Sequence, residues 1–123
     1  MITDSFTSES SIVVVIFSGR ITINDILEWS YTLTPARFPV NDLKILLNAS
    51  TADYDFLASE FQEMDQGIMD LCNRFSTVRI ARLHSKTKEI SLSVIAHDRK
   101  LPSNYSTRIF INYNNALEWL MEL

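Results

Sequence analysis

The 123-residue chain has the length of one domain, and at 46% hydrophobic and 21% charged, with two glycines and three prolines, it is too apolar to stay disordered. Its one cysteine, Cys72, excludes an internal disulfide and a cysteine-rich zinc site within one chain. A net charge of −4, with basic residues not interleaved with aromatics, argues against nucleic acid as a partner.

The periodicity alternates between strand and helix along residues 1–123, without a linker or internal repeat. Ile2 to Phe6 reads as an edge strand, joined through Thr7-Ser8-Glu9-Ser10 to the β-branched run Ile12 to Phe17, which predicts a strand buried on both faces. Thr22 with Asp25 three residues on makes a helix start, and Ile23, Ile26, Leu27 and Tyr31 share one helical face. Pro35 and Pro39 end that helix and shape a loop. Leu43 to Leu47 is a second buried strand, closing at Asn48, with a loop from Ala49 to Phe56.

Leu57, Phe61, Met64, Ile68, Leu71, Cys72 and Phe75 are spaced by threes and fours and predict the clearest helix, with Ser59 and Gln62 fitting a capping box. Val78 to Leu83 is a third strand. Residues 86–99 suit either period; a helix is expected, because a parallel strand pair needs a crossover. Pro102 with Ser103-Asn104 forms a turn, and Arg108 to Ile111 is the last strand. Asn112 then caps a helix with Ala116, Leu117, Leu120 and Leu123 as its apolar stripe. The expected fold is α/β: a mostly parallel sheet of about five strands with an N-terminal β-hairpin, covered by about four helices.

Three stretches resemble the STAS family, the fold of bacterial anti-sigma-factor antagonists, and within it the SpoIIAA-like branch. They are Phe17-Ser18-Gly19-Arg20-Ile21-Thr22, Leu43 to Ser50, and Arg108-Ile109-Phe110 followed by Ala116-Leu117-Glu118-Trp119-Leu120. The phosphorylatable antagonists carry Asp-Ser-Ser/Thr-Gly at the start of the second helix. Here that region reads Phe56-Leu57-Ala58-Ser59-Glu60-Phe61, without the Asp-Ser pair or the glycine. Ser59 is the one hydroxyl near the place the resemblance implies for phosphorylation, and a role as helix N-cap accounts for it equally.

In open parallel sheets ligands bind beyond the carboxyl ends of the strands, which brings forward Asn48, Ser50, Arg82, His84 and Asn112. Arg82 is the most informative, because it shares strand parity with Val78 and Ile80 and so lies near a buried face, where an unpaired guanidinium is costly. Its partner is either a ligand carboxylate or phosphate, with Ser85 and Thr87 at the next helix start, or the more ordinary salt bridge or route to water. Nothing calls for a metal or a cofactor: the two histidines lack ligand spacing, and two glycines supply neither a dinucleotide fingerprint nor a P-loop. No Gly-x-Ser-x-Gly elbow is present, and Asp53 and Asp55 read as loop-solvating acids. Trp29, Tyr31 and Phe38 are either core or, if exposed, a hydrophobic binding patch.

Three basic and eleven acidic residues lie in 1–73, against eight and four in 74–123. Two differently solvated surfaces explain this; a bipolar domain that forms homodimers or docks an acidic partner explains it too. No apolar run approaches the ~18–20 residues of a membrane span, and the first residues lack a signal-peptide pattern, so a cytoplasmic protein is expected. The leading functional expectation is a non-enzymatic STAS-like interaction or regulatory module acting through a protein partner. The alternative is a carrier or sensor of a small anionic or amphipathic ligand at the carboxyl edge of the sheet.

Overall fold

The β-branched and aliphatic runs form one sheet in the computed structural model, which describes residues 1–7, 9–84 and 101–122. Its elements are β1 (Ile2–Thr7), β2 (Ile12–Ile21), α1 (Ile23–Tyr31), β3 (Asp42–Tyr54), a 3-10 turn (Ala58–Glu60) leading into α2 (Phe61–Arg74), β4 (Thr77–Leu83), β5 (Tyr105–Phe110) and α3 (Tyr113–Met121). The strands lie in sequence order, β1 antiparallel to β2 and every later pair parallel. This is the expected α/β architecture with its N-terminal hairpin. Three helices occur among the described residues instead of about four; the helix expected over 86–99 lies outside them.

Strand alternation divides the core between two faces. Val13, Val15 and Phe17 of β2, Leu43, Ile45 and Leu47 of β3, and Val78 and Ile80 of β4 form one cluster, which includes Ile23 of α1 and Phe61 and Leu71 of α2. Ile12, Leu46 and Ala81 point the other way and pack against Ala116, Trp119 and Leu120 of α3. Each such side chain contributes about 1.5–3 kcal/mol on burial, so these rows fix the register. Ile16 departs from the expected two-sided burial. It is 44% exposed on the face that α3 covers only in part.

Most helix ends are satisfied by side chains that their own sequence or a neighbouring element supplies. Thr22 and Asp25 form the expected box: the Thr22 N–H donates to Asp25 at 2.9 Å, and the Asp25 N–H to the Thr22 hydroxyl at 3.2 Å. Hydrogen bonding to the carboxyl from the Thr22 backbone, and then from its side chain, holds Asp25 below its ordinary value. Arg74, in the last turn of α2, donates to the carbonyls of Ser30 and Leu33, closing the end of α1. The two helices approach closely at Gly67, where a Cβ would stand 2.9 Å from Leu27 Cδ2. Asn112 caps α3 as expected, accepting from the Asn115 N–H at 3.1 Å. Arg79 closes the other end of α3, donating to the carbonyls of Trp119 and Glu122 while lying 4.3 Å over the Trp119 ring.

Several boundaries differ from expectation. β3 continues past Asn48 to Tyr54 because an irregularity absorbs one residue: Ile16 pairs with Asn48, but Ser18 pairs with Thr51. The extra residue reverses parity, so Ala52 and Tyr54 point into the same core as Leu47 and Ala49. β5 begins at Tyr105 and ends at Phe110, earlier than expected, because the Asn104 amide caps the end of α2 through the carbonyls of Cys72, Phe75 and Ser76. Tyr31 is 58% exposed, and the inward position falls to Ser30. Leu57 is 70% exposed, since the 3-10 turn takes it off the α2 face. Ser59 therefore does not cap α2; Glu60 instead accepts from the Leu57 N–H at 2.8 Å.

Thr22→Ala should cost about 1 kcal/mol in urea denaturation at neutral pH, the usual price of a lost N-cap. Asp25 has a lowered folded-state pKa, so its contribution is present above the unfolded value near 3.8 and fades as pH falls through the folded value. The difference between wild type and variant should shrink across that acid range. A penalty unchanged by acid would show that the Thr22 hydroxyl does not act through the Asp25 carboxyl, since the variant keeps the Thr22 backbone bond.

Candidate functional site

The inward row of β4 runs Val78, Ile80, Arg82, and the same parity carries His84 just beyond the strand. Arg82 pairs in register with Leu47 on one side and Ile109 on the other, so its side chain emerges over the α1–α2 face near the carboxyl end of the sheet. Its Nε and Nη2 are buried and have no hydrogen-bond partner. Arg20, Arg37, Arg74 and Arg79 each donate to at least one carboxylate, hydroxyl or carbonyl. Arg74 leaves one buried donor, Nη2, without a partner, whereas Arg82 leaves two, Nε and Nη2.

Burial pushes the Arg82 guanidinium below its ordinary value, with Tyr105 and Tyr54 acting in the opposite sense. It remains a cation, because an arginine does not lose its proton in a protein. Burial pushes the Tyr105 hydroxyl up, against the pull of Arg82, so this neighbour is a neutral phenol that does not balance the charge.

Beside the guanidinium is a cavity of about 100 Å³ between the sheet and helices α1 and α2. Phe17, Leu27, Phe61, Met64, Ile68 and Ile80 give it apolar walls. Two of its hydroxyls are engaged: Ser30 donates to the Leu27 carbonyl at 2.8 Å and Thr107 to the Ile80 carbonyl at 2.9 Å. Asp65 also lines it. Among the described lining residues Arg82 has two donors to spare, an arrangement that suits an anion whose body is apolar.

The five residues expected at the sheet edge do not converge. His84 shares the Arg82 face; it is fully buried, donates its backbone N–H to the Phe110 carbonyl at 3.1 Å and sets its ring edge-on to Tyr54, 5.7 Å between centroids. Asn48 shares the parity of Leu46 and so belongs to the α3 face, where its Oδ1 accepts from the N–H and hydroxyl of Ser50. That local turn accompanies the β3 irregularity. Asn112 serves as the α3 cap, and Ser59 is exposed in the 3-10 turn, apart from the cavity. Trp29 packs edge-on to Phe17 and donates to Asp4, while Phe38 is buried against Phe6, which leaves Tyr31 as the exposed member of the expected aromatic cluster. Tyr54, Tyr105 and Thr107 join the site without having been expected. Strand parity with Arg82 across β5 is the signal that could have found the last two.

Among the described residues no group of histidine, cysteine, aspartate and glutamate could hold a metal ion, and no helix is long and apolar enough to cross a membrane.

No family model matches the sequence, and no curated protein does. Solved structures do match in fold. One is an uncharacterized protein of the DUF3478 family with a SpoIIAA-like fold from Shewanella loihica PV-4, with a TM-score of 0.63 at 15% identity over 98% of this chain and 92% of that one. Another is an anti-sigma factor antagonist from Mycobacterium paratuberculosis, with a TM-score of 0.58 at 13% identity over 99% and 96%. The chain has the SpoIIAA-like fold that its sequence resembles.

Replacing Arg82 with a residue of similar length and no charge removes a desolvated cation that the ligand-free protein does not pair. Arg82→Met should therefore raise ligand-free stability by roughly 1 kcal/mol or more in urea denaturation. A clear loss of stability would mean that the guanidinium has a structural partner.

Proposed function

We propose that this SpoIIAA-like chain is a non-enzymatic regulatory binding module whose input is a small anionic or amphipathic molecule held at Arg82. The observation that carries the reading is the pair of buried guanidinium donors without partners, on a residue that also lines an apolar cavity. A position serving only the core would be filled more stably by leucine or methionine, since a buried charge left unpaired is costly. Retaining arginine there makes physical sense if a bound anion completes the site.

The output is a protein contact in this reading. Likeness in fold to an anti-sigma factor antagonist supports a protein partner, and the uneven charge along the chain suits either an acidic partner or a second copy. The non-enzymatic part rests on the sequence, which carries neither a nucleophile elbow nor a phosphate-binding loop.

A thermal-shift panel of benzoate, decanoate, phenyl phosphate and dodecyl sulfate, applied to wild type and Arg82→Met, tests the input. At least one anion should raise the melting temperature of the wild type and leave the variant unmoved. Equal responses from both proteins, or none from either, would sink the reading.

A further inference from the structure

We infer that a second copy of this chain docks on the α3 face of the sheet, each copy laying its α3 along the β1–β2 hairpin of the other; this rests on the reading of a protein contact as the output. The two faces of the sheet are covered unequally. Helices α1 and α2 pack on one of them, while α3 packs on β3, β4 and β5 of the other. Strands stand about 4.8 Å apart and a helix is about 10 Å across, so among the described residues α3 leaves the two hairpin strands open over roughly the width of one more helix.

The open strip is apolar along β2 and bears hydroxyls along β1. Val14 is half-buried and Ile16 exposed, and directly across the ladder from them stand exposed Ser5 and Thr3. Lys44, one strand further in and opposite Ile12, is the charge at its margin. Outer residues of α3 carry the matching surface. The Trp119 ring lies toward β5, 5.9 Å from that of Phe110, so the opposite flank of the helix is turned toward β2. Leu117 and Met121 stand on that flank one turn apart, Leu117 half-buried and Met121 53% exposed. Glu118 is exposed beyond them, and the helix carries no cation.

A two-fold axis parallel to the strands joins strip to helix twice over, as a closed pair of identical chains requires. Leu117 and Met121 then lie toward the partner's Val14 and Ile16, and Glu118 toward the partner's Thr3 and Ser5. The charges agree with this placement. Lys44 pairs in register with Arg79, which holds the last carbonyls of α3 in its own copy. Lys44 therefore stands level with the negative end of the incoming helix and with its Glu122. Lengths agree as well: the 9 residues of α3 span about 13 Å, as does β2 from Ile12 to Ile16. A seat one helix wide belongs with small, reversible interfaces, below about 1,200 Å² in total.

Sedimentation equilibrium of the full chain from about 1 μM to about 1 mM should show the mass rising from that of one chain to that of two. Met121→Glu and Ile16→Glu each place a carboxylate in the seat, one from the helix and one from the strip, and each should weaken association by at least about tenfold. Tyr31→Glu, on α1 and so on the other side of the sheet, should associate like the wild type. All three side chains are exposed, so the substitutions leave the core intact. A wild type that stays monomeric at the top of that range overturns the inference and leaves the strip to a different protein. Weakening by only one of the two seat variants, or equal weakening by Tyr31→Glu, overturns it too. A monomer that still shows the Arg82-dependent thermal shift would lose this surface and keep the anion reading; a dimer without that shift would keep the surface and lose the anion.

Discussion

Strand β4 cannot bury Val78 and Ile80 against α1 and α2 without also turning Arg82 inward. Successive side chains of a strand alternate between faces, and the register of β4 is locked on both sides by Leu43, Ile45 and Leu47 of β3 and by Thr107 of β5. A slip of one residue would free Arg82 but would send the whole apolar row to the other face. The core therefore enforces the position of the charge, and every property of the candidate site follows from that placement.

The other arginines show what this chain does with cations when stability is the sole concern. Arg74 closes the end of α1, Arg79 closes the end of α3 over the Trp119 ring, and Arg37 links Asp4 to Thr32. Each takes carbonyl, hydroxyl or carboxylate oxygens that would otherwise lack a donor. These contacts also settle where the helices sit, and so where the cavity walls stand. Arg82 shares the chemistry of that set, but two of its buried donors have no partner where Arg74 leaves one, and the contrast sets it apart from the structural cations.

Much of this was legible in the sequence, and the failures have local causes. The hairpin, the parallel sheet, the Thr22–Asp25 box and the Asn112 cap follow from short-range patterns that tertiary packing did not override. Arg82 was legible by parity alone. The end of β3 was not, because Asn48, Ser50, Thr51 and Asp53 read as loop while the strand bends through an irregularity that restores Ala52 and Tyr54 to the core. For the same reason Asn48 was placed beside Arg82, although the pleat puts it on the opposite face. Tyr105 and Thr107 were hidden behind the Pro102 turn, which made the last strand seem to begin at Arg108. The cavity itself had no sequence signal, since it arises where α1 and α2 meet the sheet, three segments far apart along the chain.

The unsatisfied state of Arg82 in the ligand-free protein is the point on which this account rests. Nitrogen-15 NMR of the arginine Nε–H groups measures it directly, with exposed Arg20 as an internal reference. The Arg82 signal should exchange with water more slowly than that of Arg20, because its Nε is buried, and should move on addition of benzoate but not of benzyl alcohol. An Arg82 Nε–H that exchanges as fast as Arg20, or that ignores both compounds, would contradict it.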